Sequence, residues 1–144
     1  MSFDLRIVGR DIAIGKDGDL AIVDNTDKLV QDILKILTTK LGANPFYPWY
    51  GSPISRTLIG KAFEETFVAN VASNQLRTAL EMLQRLQKEQ LKRDQLITPQ
   101  EQIAAIQNVN IQRNTVDPRF YSIDVTVLTK AFKSTRVSLK VSSF

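Results

Sequence analysis

The chain has 144 residues, a net charge of +4, and neither cysteine nor histidine. Its length suits one domain, spanning residues 1–144, that can bury a core without covalent staples. The missing residue types exclude disulfides, thiol nucleophiles, Ser/His/Asp and Cys/His triads and the commonest metal ligand, so any catalysis would fall to carboxylates.

The N-terminal stretch "MSFDLRIVGRD" alternates charged and apolar residues, so no secretory signal is expected, and no segment approaches membrane-spanning length. From Met1 to Asp32 acids outnumber bases seven to four. Within that acidic segment Ile12 and Ile14 precede an Asp17-Gly18 turn, and Leu20 and Ile22 follow it at every second position. This pattern predicts an antiparallel hairpin over about residues 5 to 23. Asp17 and Asp19 lack the other ligand positions of a calcium loop, and turn chemistry accounts for them.

From Asn25 or Thr26, either able to cap, the period becomes helical through Leu29, Val30, Ile33, Ile36, Leu37 and Leu41. Gly42 is expected as the left-handed C-terminal cap, with Pro45 blocking continuation. The stretch "GANPFYPWYGSPIS", Gly42 to Ser55, then places Phe46, Tyr47, Trp49 and Tyr50 in a turn. These aromatics can cover the junction with the helix as a local core or stand exposed as partner anchors, Trp49 and Tyr50 foremost. Ser52 and Pro53 suit the start of a short helix carrying Ile54 and Leu58 and closing at Gly60.

A long helix is predicted from about Glu64 to Asp94, with Val68, Ala72, Leu76, Ala79, Leu83 and Leu86 forming a seam at steps of four and three. That seam can pack within the domain or against a second chain. Past Leu86 the sequence is almost wholly polar, and a projecting helical extension is expected around residues 84–98, either solvated or touching a partner. Thr98, Pro99 and Glu101 then offer a capping box that restarts helical structure. Val109 and Ile111, then Ile123, Val125 and Val127, then Val137, Leu139 and Val141 alternate with polar neighbours as C-terminal antiparallel strands. From Ile106 onward six bases face only Asp117 and Asp124. The expected fold class is therefore α+β: an N-terminal β-hairpin, helices including one long one, and C-terminal strands.

This order resembles the lysozyme-like baseplate wedge family of contractile-tailed phages, which is related to sheath-initiator subunits of contractile injection systems. The likeness is carried by "GDLAIVDN" at Gly18 to Asn25, "LVQDILKILTTKLGANPFYPWYGSPI" at Leu29 to Ile54 and "IQNVNI" at Ile106 to Ile111. Its most specific part is a Gln…Leu-x-Thr-x-x-Gly helix followed by Pro-x-x-Gly. Gln31, Leu37, Thr39 or Thr38, Gly42, Pro48 and Gly51 match it. Members often carry Glu-Pro-Arg before the following strand, where this chain has Ile103-Ala104-Ala105, so that docking contact is not carried over.

The resemblance implies a non-enzymatic virion component, assembled in the host cytoplasm and built into the tail baseplate in many copies around a ring. It implies contacts with other wedge proteins, with tail tube or hub proteins and with the sheath, and no cofactor, metal or membrane. The C-terminal strand is where the implied sheath contact and the residues meet. Arg136, Val137, Ser138, Leu139, Lys140 and Val141 form a strand that is either folded back at a sheet edge or offered to another subunit, and Arg136 and Lys140 equally serve to block unwanted pairing.

Two other functions compete. A cell-wall glycosidase would need two carboxyls flanking one bond, with Glu64, Glu65 or Glu81 as proton donor. Glu64 and Glu65 are already explained by the helix dipole, and Glu81 by a solvated helix face. A nucleic-acid-binding role would use Arg85, Lys88, Lys92 and Arg93 at helical spacing along phosphates. Glu81, Glu89 and Asp94 interrupt that row, and no aromatic platform is interleaved with it.

Overall fold

The structure, a computed structural model, describes residues 3–9, 11–54, 65–117 and 120–142. The N-terminal segment forms β1 (Asp4–Leu5), β2 (Ile7–Val8), β3 (Asp11–Ile12) and β4 (Ile22–Val23). β1 pairs antiparallel with β4 and β2 with β3, and a further bridge joins Ile14 to Leu20. The turn at Asp17-Gly18 is where the sequence places it, with Gly18 at a φ of 85° and the Gly15 N–H donating to Asp19 O at 2.6 Å. The strands are shorter than a two-stranded hairpin because Arg6 changes partner. Its N–H donates to Ala21 O (2.8 Å) while its carbonyl accepts from the Ala13 N–H (2.9 Å), which divides the ladder in two.

Helix α1 spans Asn25–Thr38 and buries Leu29, Ile33, Ile36 and Leu37, the residues its period selects. Both ends differ from expectation. Asp24, not Asn25 or Thr26, occupies the N-cap position without a side-chain cap bond. The Asn25 side chain instead accepts from the Thr98 hydroxyl at 2.9 Å. At the other end α1 stops before Gly42. The Thr38 hydroxyl donates to Leu34 O, both the N–H and the hydroxyl of Thr39 donate to Lys35 O, and the backbone is already extended at Thr39.

Helix α2 spans Glu65–Lys92. Ala72, Leu76, Ala79, Leu80 and Leu83 are buried, so from Ala72 to Leu83 the seam is satisfied inside the molecule, against α1 and the sheet. Its polar C-terminal half is less solvated than the composition predicts. Gln87 is 5% exposed; its amide donates to Glu101 O (2.7 Å) and its side-chain oxygen accepts from the Ile103 N–H (2.8 Å). Gln84 adds longer bonds to Ile103 O and Ala104 O.

These amide anchors explain a second correction. The Thr98 N–H donates to the Glu101 carboxylate at 3.2 Å, as a capping box requires, but only a single 3₁₀ turn, Pro99–Glu101, follows. Ile103 to Ile106 are extended, since Gln87 and cross-strand pairing hold them so. They open β5 (Ile103–Arg113), which pairs with β6 (Phe120–Thr129), and β6 with β7 (Ser134–Ser142), all antiparallel in the order β5-β6-β7. β5 carries register shifts at Ile103/Ala105 and Ile106/Asn108. On central β6, Tyr121, Ile123, Val125, Val127 and Thr129 are buried at alternate positions. α2 packs along β5 and α1 against β7. The fold is α+β, with its core between two helices and one face of a three-stranded sheet.

Candidate functional site

The motif residues build a clipped loop. Lys40 and Ser52 form a parallel bridge at its neck, the Ser52 N–H donating to Thr39 O (2.9 Å) and the Leu41 N–H to Ser52 O (3.3 Å). Gly51 sits in this neck at a φ of 116°, and a Cβ there would lie 2.6 Å from Thr39 O, so no larger residue fits without moving backbone. Gly42, at a φ of 84°, is the third residue of a turn closed by the Ala43 N–H on Lys40 O (3.0 Å). A type II turn demands a glycine there, which is its role in place of a helix cap. Pro48 is the second residue of another turn, closed by the Tyr50 N–H on Tyr47 O at 3.0 Å, where proline's fixed φ is favoured. The Asn44 side chain accepts from the Phe46 N–H and, more weakly, the Tyr47 N–H, which folds the tip. Beyond the neck Ile54 is buried and donates its N–H to the Ser52 hydroxyl, whereas Leu58 and Gly60 lie outside the described residues.

Gln31, the motif's first residue, ties the N-terminal strands to α1. Its side-chain oxygen accepts from the Ile7 N–H (2.9 Å), and its amide donates to Leu5 O (2.8 Å) and to Asp4 (3.1 Å). Lys35 pairs with Asp4 and Lys28 with Asp32 alongside. Burial disfavours the charge on Asp4, but Lys35, the Leu5 N–H and Gln31 together outweigh it and hold this carboxyl below the usual range. Burial first, then the charges of Asp32 and Asp4, push the Tyr50 phenol up.

The four aromatics do not make a local core. Tyr50 alone packs against the main core, while Phe46, Tyr47 and Trp49 are exposed. Trp49 meets Tyr47 edge-on at 5.6 Å and Tyr50 at 6.5 Å. With Leu86, Gln90 and Arg93 of the α2 end they wall a cleft of about 500 Å³. Trp49 also borders a smaller cleft against Asn74, Thr78 and Met82, so the indole divides two depressions along one helix. Leu86, Gln90 and Arg93 had only their helical spacing in the sequence, and nothing there ties them to the loop.

The strand half of the predicted contact surface lies elsewhere, since no described β7 residue lines either cleft. β7 is an edge strand. Val137 is buried and Leu139 partly so, while Arg136, Ser138 and Lys140 are exposed; Val141 pairs in register with Tyr121. On the outer face the Ser138 hydroxyl donates to Asp124, and Arg136 meets the same carboxylate at 3.3 Å. That hydroxyl first, and Arg136 after it, hold the Asp124 carboxyl down. Arg136 therefore already has a partner in its own sheet, and Lys140 has no ion pair among the described residues.

Glu89 lines the aromatic cleft and meets Lys92, while Asp4 and Asp32 line a third depression, between the N-terminal segment, α1 and the α2 end, and meet Lys35 and Lys28. Glu81 is exposed on α2, the backbone of Glu65 begins that helix, and Glu64 lies outside the described residues. Arg85, Lys88, Lys92 and Arg93 are exposed, with Lys92 engaged by Glu89 at 3.3 Å. No group of three or more metal-ligating side chains occurs among the described residues, and no described helix is long and apolar enough to cross a membrane.

No sequence-family profile and no curated protein sequence matches the chain. Its fold is shared. A crystal structure from Geobacter sulfurreducens, named "putative tail lysozyme", superposes with a TM-score of 0.61 at 13% identity, over 81% of this chain and 88% of that one. At that identity the likeness establishes common architecture over the matched part of the two proteins.

Proposed function

We propose that the protein is a structural subunit of a phage-type tail baseplate, joining wedge components around the tail tube and offering β7 to the first ring of sheath. The observation that carries this reading is the outermost place of β7 in the sheet among the described residues, in a fold shared with a protein named for a tail. An edge strand gives affinity through main-chain hydrogen bonds, while its alternating side chains set register. Copies around a ring multiply each modest contact into avidity. Tyr47, Trp49 and Tyr50 supply a second, aromatic contact surface for a neighbouring wedge protein, held rigid by the clipped loop.

In this reading the protein acts by fixed contacts and not by chemistry. The lysine partners of the cleft carboxylates support that, because a glycosidase needs one carboxyl kept protonated by an apolar or like-charged environment. Incubation of purified protein with cell-wall glycan tests this arm, and release of reducing sugar would overturn it. Cryo-electron microscopy of the intact particle tests the main proposal. The chain is expected in the baseplate ring with residues 134–142 paired to a strand of another subunit. A β7 left unpaired in the ring removes the strand-addition mechanism, and absence from the particle removes the assignment.

A further inference from the structure

The turn between β6 and β7 holds an unusual residue. Phe132 has a φ of 61° and is 88% exposed. The turn is closed by its N–H on Thr129 O (3.0 Å) and by Thr129 and Lys133. That position favours glycine or asparagine, and a bulky side chain there is strained while burying almost none of its surface. Lys130 and Lys133 flank it, both exposed and without an ion pair among the described residues. The turn thus presents one aromatic ring between two ammonium groups.

A matching surface exists at the other end of the sequence. Ile7 pairs with Ile12 and Ile14 with Leu20, and alternation adds Ile22 to the same face. All five are exposed, from 45% at Ile7 to 71% at Ile14, and the pairing sets them side by side on that face. Soluble monomers seldom leave such a patch uncovered. Asp11 lies beside Ile12, and Asp17 and Asp19 lie in the turn beside the Ile14–Leu20 bridge, none of them in an ion pair among the described residues. Lys16 lies in the same turn, so the rim carries three carboxylates against one ammonium group, an acidic excess where the aromatic turn is basic.

We infer that Phe132 of one copy docks onto the Ile7–Ile22 face of a second copy of this chain, with Lys130 and Lys133 meeting Asp11, Asp17 and Asp19. Both surfaces are exposed within one molecule, so the contact joins unlike surfaces of different copies. Such a contact generates a closed dimer or ring, or an open chain of subunits. It stands independently of the baseplate reading.

Sedimentation velocity of the full chain over a wide concentration range is the test. The wild type is expected to gain mass with concentration, and less so at high salt. Phe132→Gly removes the ring and relieves the strained φ, so it should fold at least as well and associate about thirtyfold more weakly, the loss expected for an interface anchor. The pair K130E/K133E and the pair D17K/D19K should each be monomeric alone and form a 1:1 complex when mixed. A wild type that stays monomeric throughout overturns the inference. So does a Phe132→Gly chain that associates like wild type, or two folded charge-reversed chains that do not combine.

Discussion

Replacing Gln87 with alanine is expected to destabilise the protein far more than its position in a polar run implies. Its amide donates to Glu101 O and its oxygen accepts from the Ile103 N–H, at 2.7 and 2.8 Å, in a site only 5% exposed. Truncation leaves a buried carbonyl and a buried N–H without those partners, at about 1–3 kcal/mol each, so a total loss of roughly 2–6 kcal/mol follows. For a chain of this size that is a fall in midpoint temperature of about 6–18 °C. Urea unfolding followed by circular dichroism measures it directly. Gln87→Met separates the causes, because methionine fills nearly the same space and removes only the polar contacts. Most of the loss should persist in that variant. Lys88→Ala, one residue on and exposed, should fall within about 0.5 kcal/mol of wild type. If Gln87→Ala also falls within that range, the α2 end is solvated and the packing of β5 against it is misread.

Gly51→Ala should cost about 2–4 kcal/mol by the same assay, since its Cβ would meet Thr39 O at 2.6 Å on a strained backbone, whereas Gly18→Ala, with nothing within 4 Å, should cost only the left-handed φ of about 1–2 kcal/mol. The Asp4 carboxyl is held below its unfolded value, so its contribution is present above about pH 4 and fades as pH falls through the folded value; Asp4→Asn should flatten stability against pH in that acid window. Tyr50 has the opposite sign. Its phenol is raised, so its contribution is whole below about pH 10 and lost as pH rises further, and Tyr50→Phe should flatten the alkaline limb.

Much of the fold was legible in the sequence because burial there is periodic. Ile123, Val125 and Val127 alternate, and Ala72, Leu76 and Leu83 step by four and seven, so their elements announce themselves. The misreadings arose where one local signal served a different end. Gly42 has the chemistry of a helix cap but closes a turn, because the backbone has already left the helix at Thr39, which is extended. The Thr98–Glu101 box starts one turn and no helix, because Gln87 reaches across from α2 and holds Ile103 extended. In composition Gln87 is indistinguishable from its solvated neighbours. Alternation also names a strand's apolar face without saying what covers it, so the exposure of Ile12, Ile14 and Leu20 was not readable. Gly42, Pro48 and Gly51 were identified by resemblance, and the structure supplies their physical duties. The far wall of the aromatic cleft, Leu86 and Arg93, needed the packing of the loop on α2 to be seen.

The clip between Lys40 and Ser52 has a consequence for how such a protein can diversify. Both ends of the loop are fixed by main-chain bonds to the same short stretch of backbone, so the tip from Ala43 to Trp49 is insulated from the core. Residues there can be exchanged, lengthened or grafted while the scaffold beneath stays unchanged, much as a tool holder accepts different bits. Under the proposed aromatic contact, a lineage changing its partner would rewrite Phe46, Tyr47 and Trp49 and keep Gln31, Gly42, Asn44, Pro48 and Gly51, and a laboratory library confined to those three aromatics would vary the surface at little risk to folding.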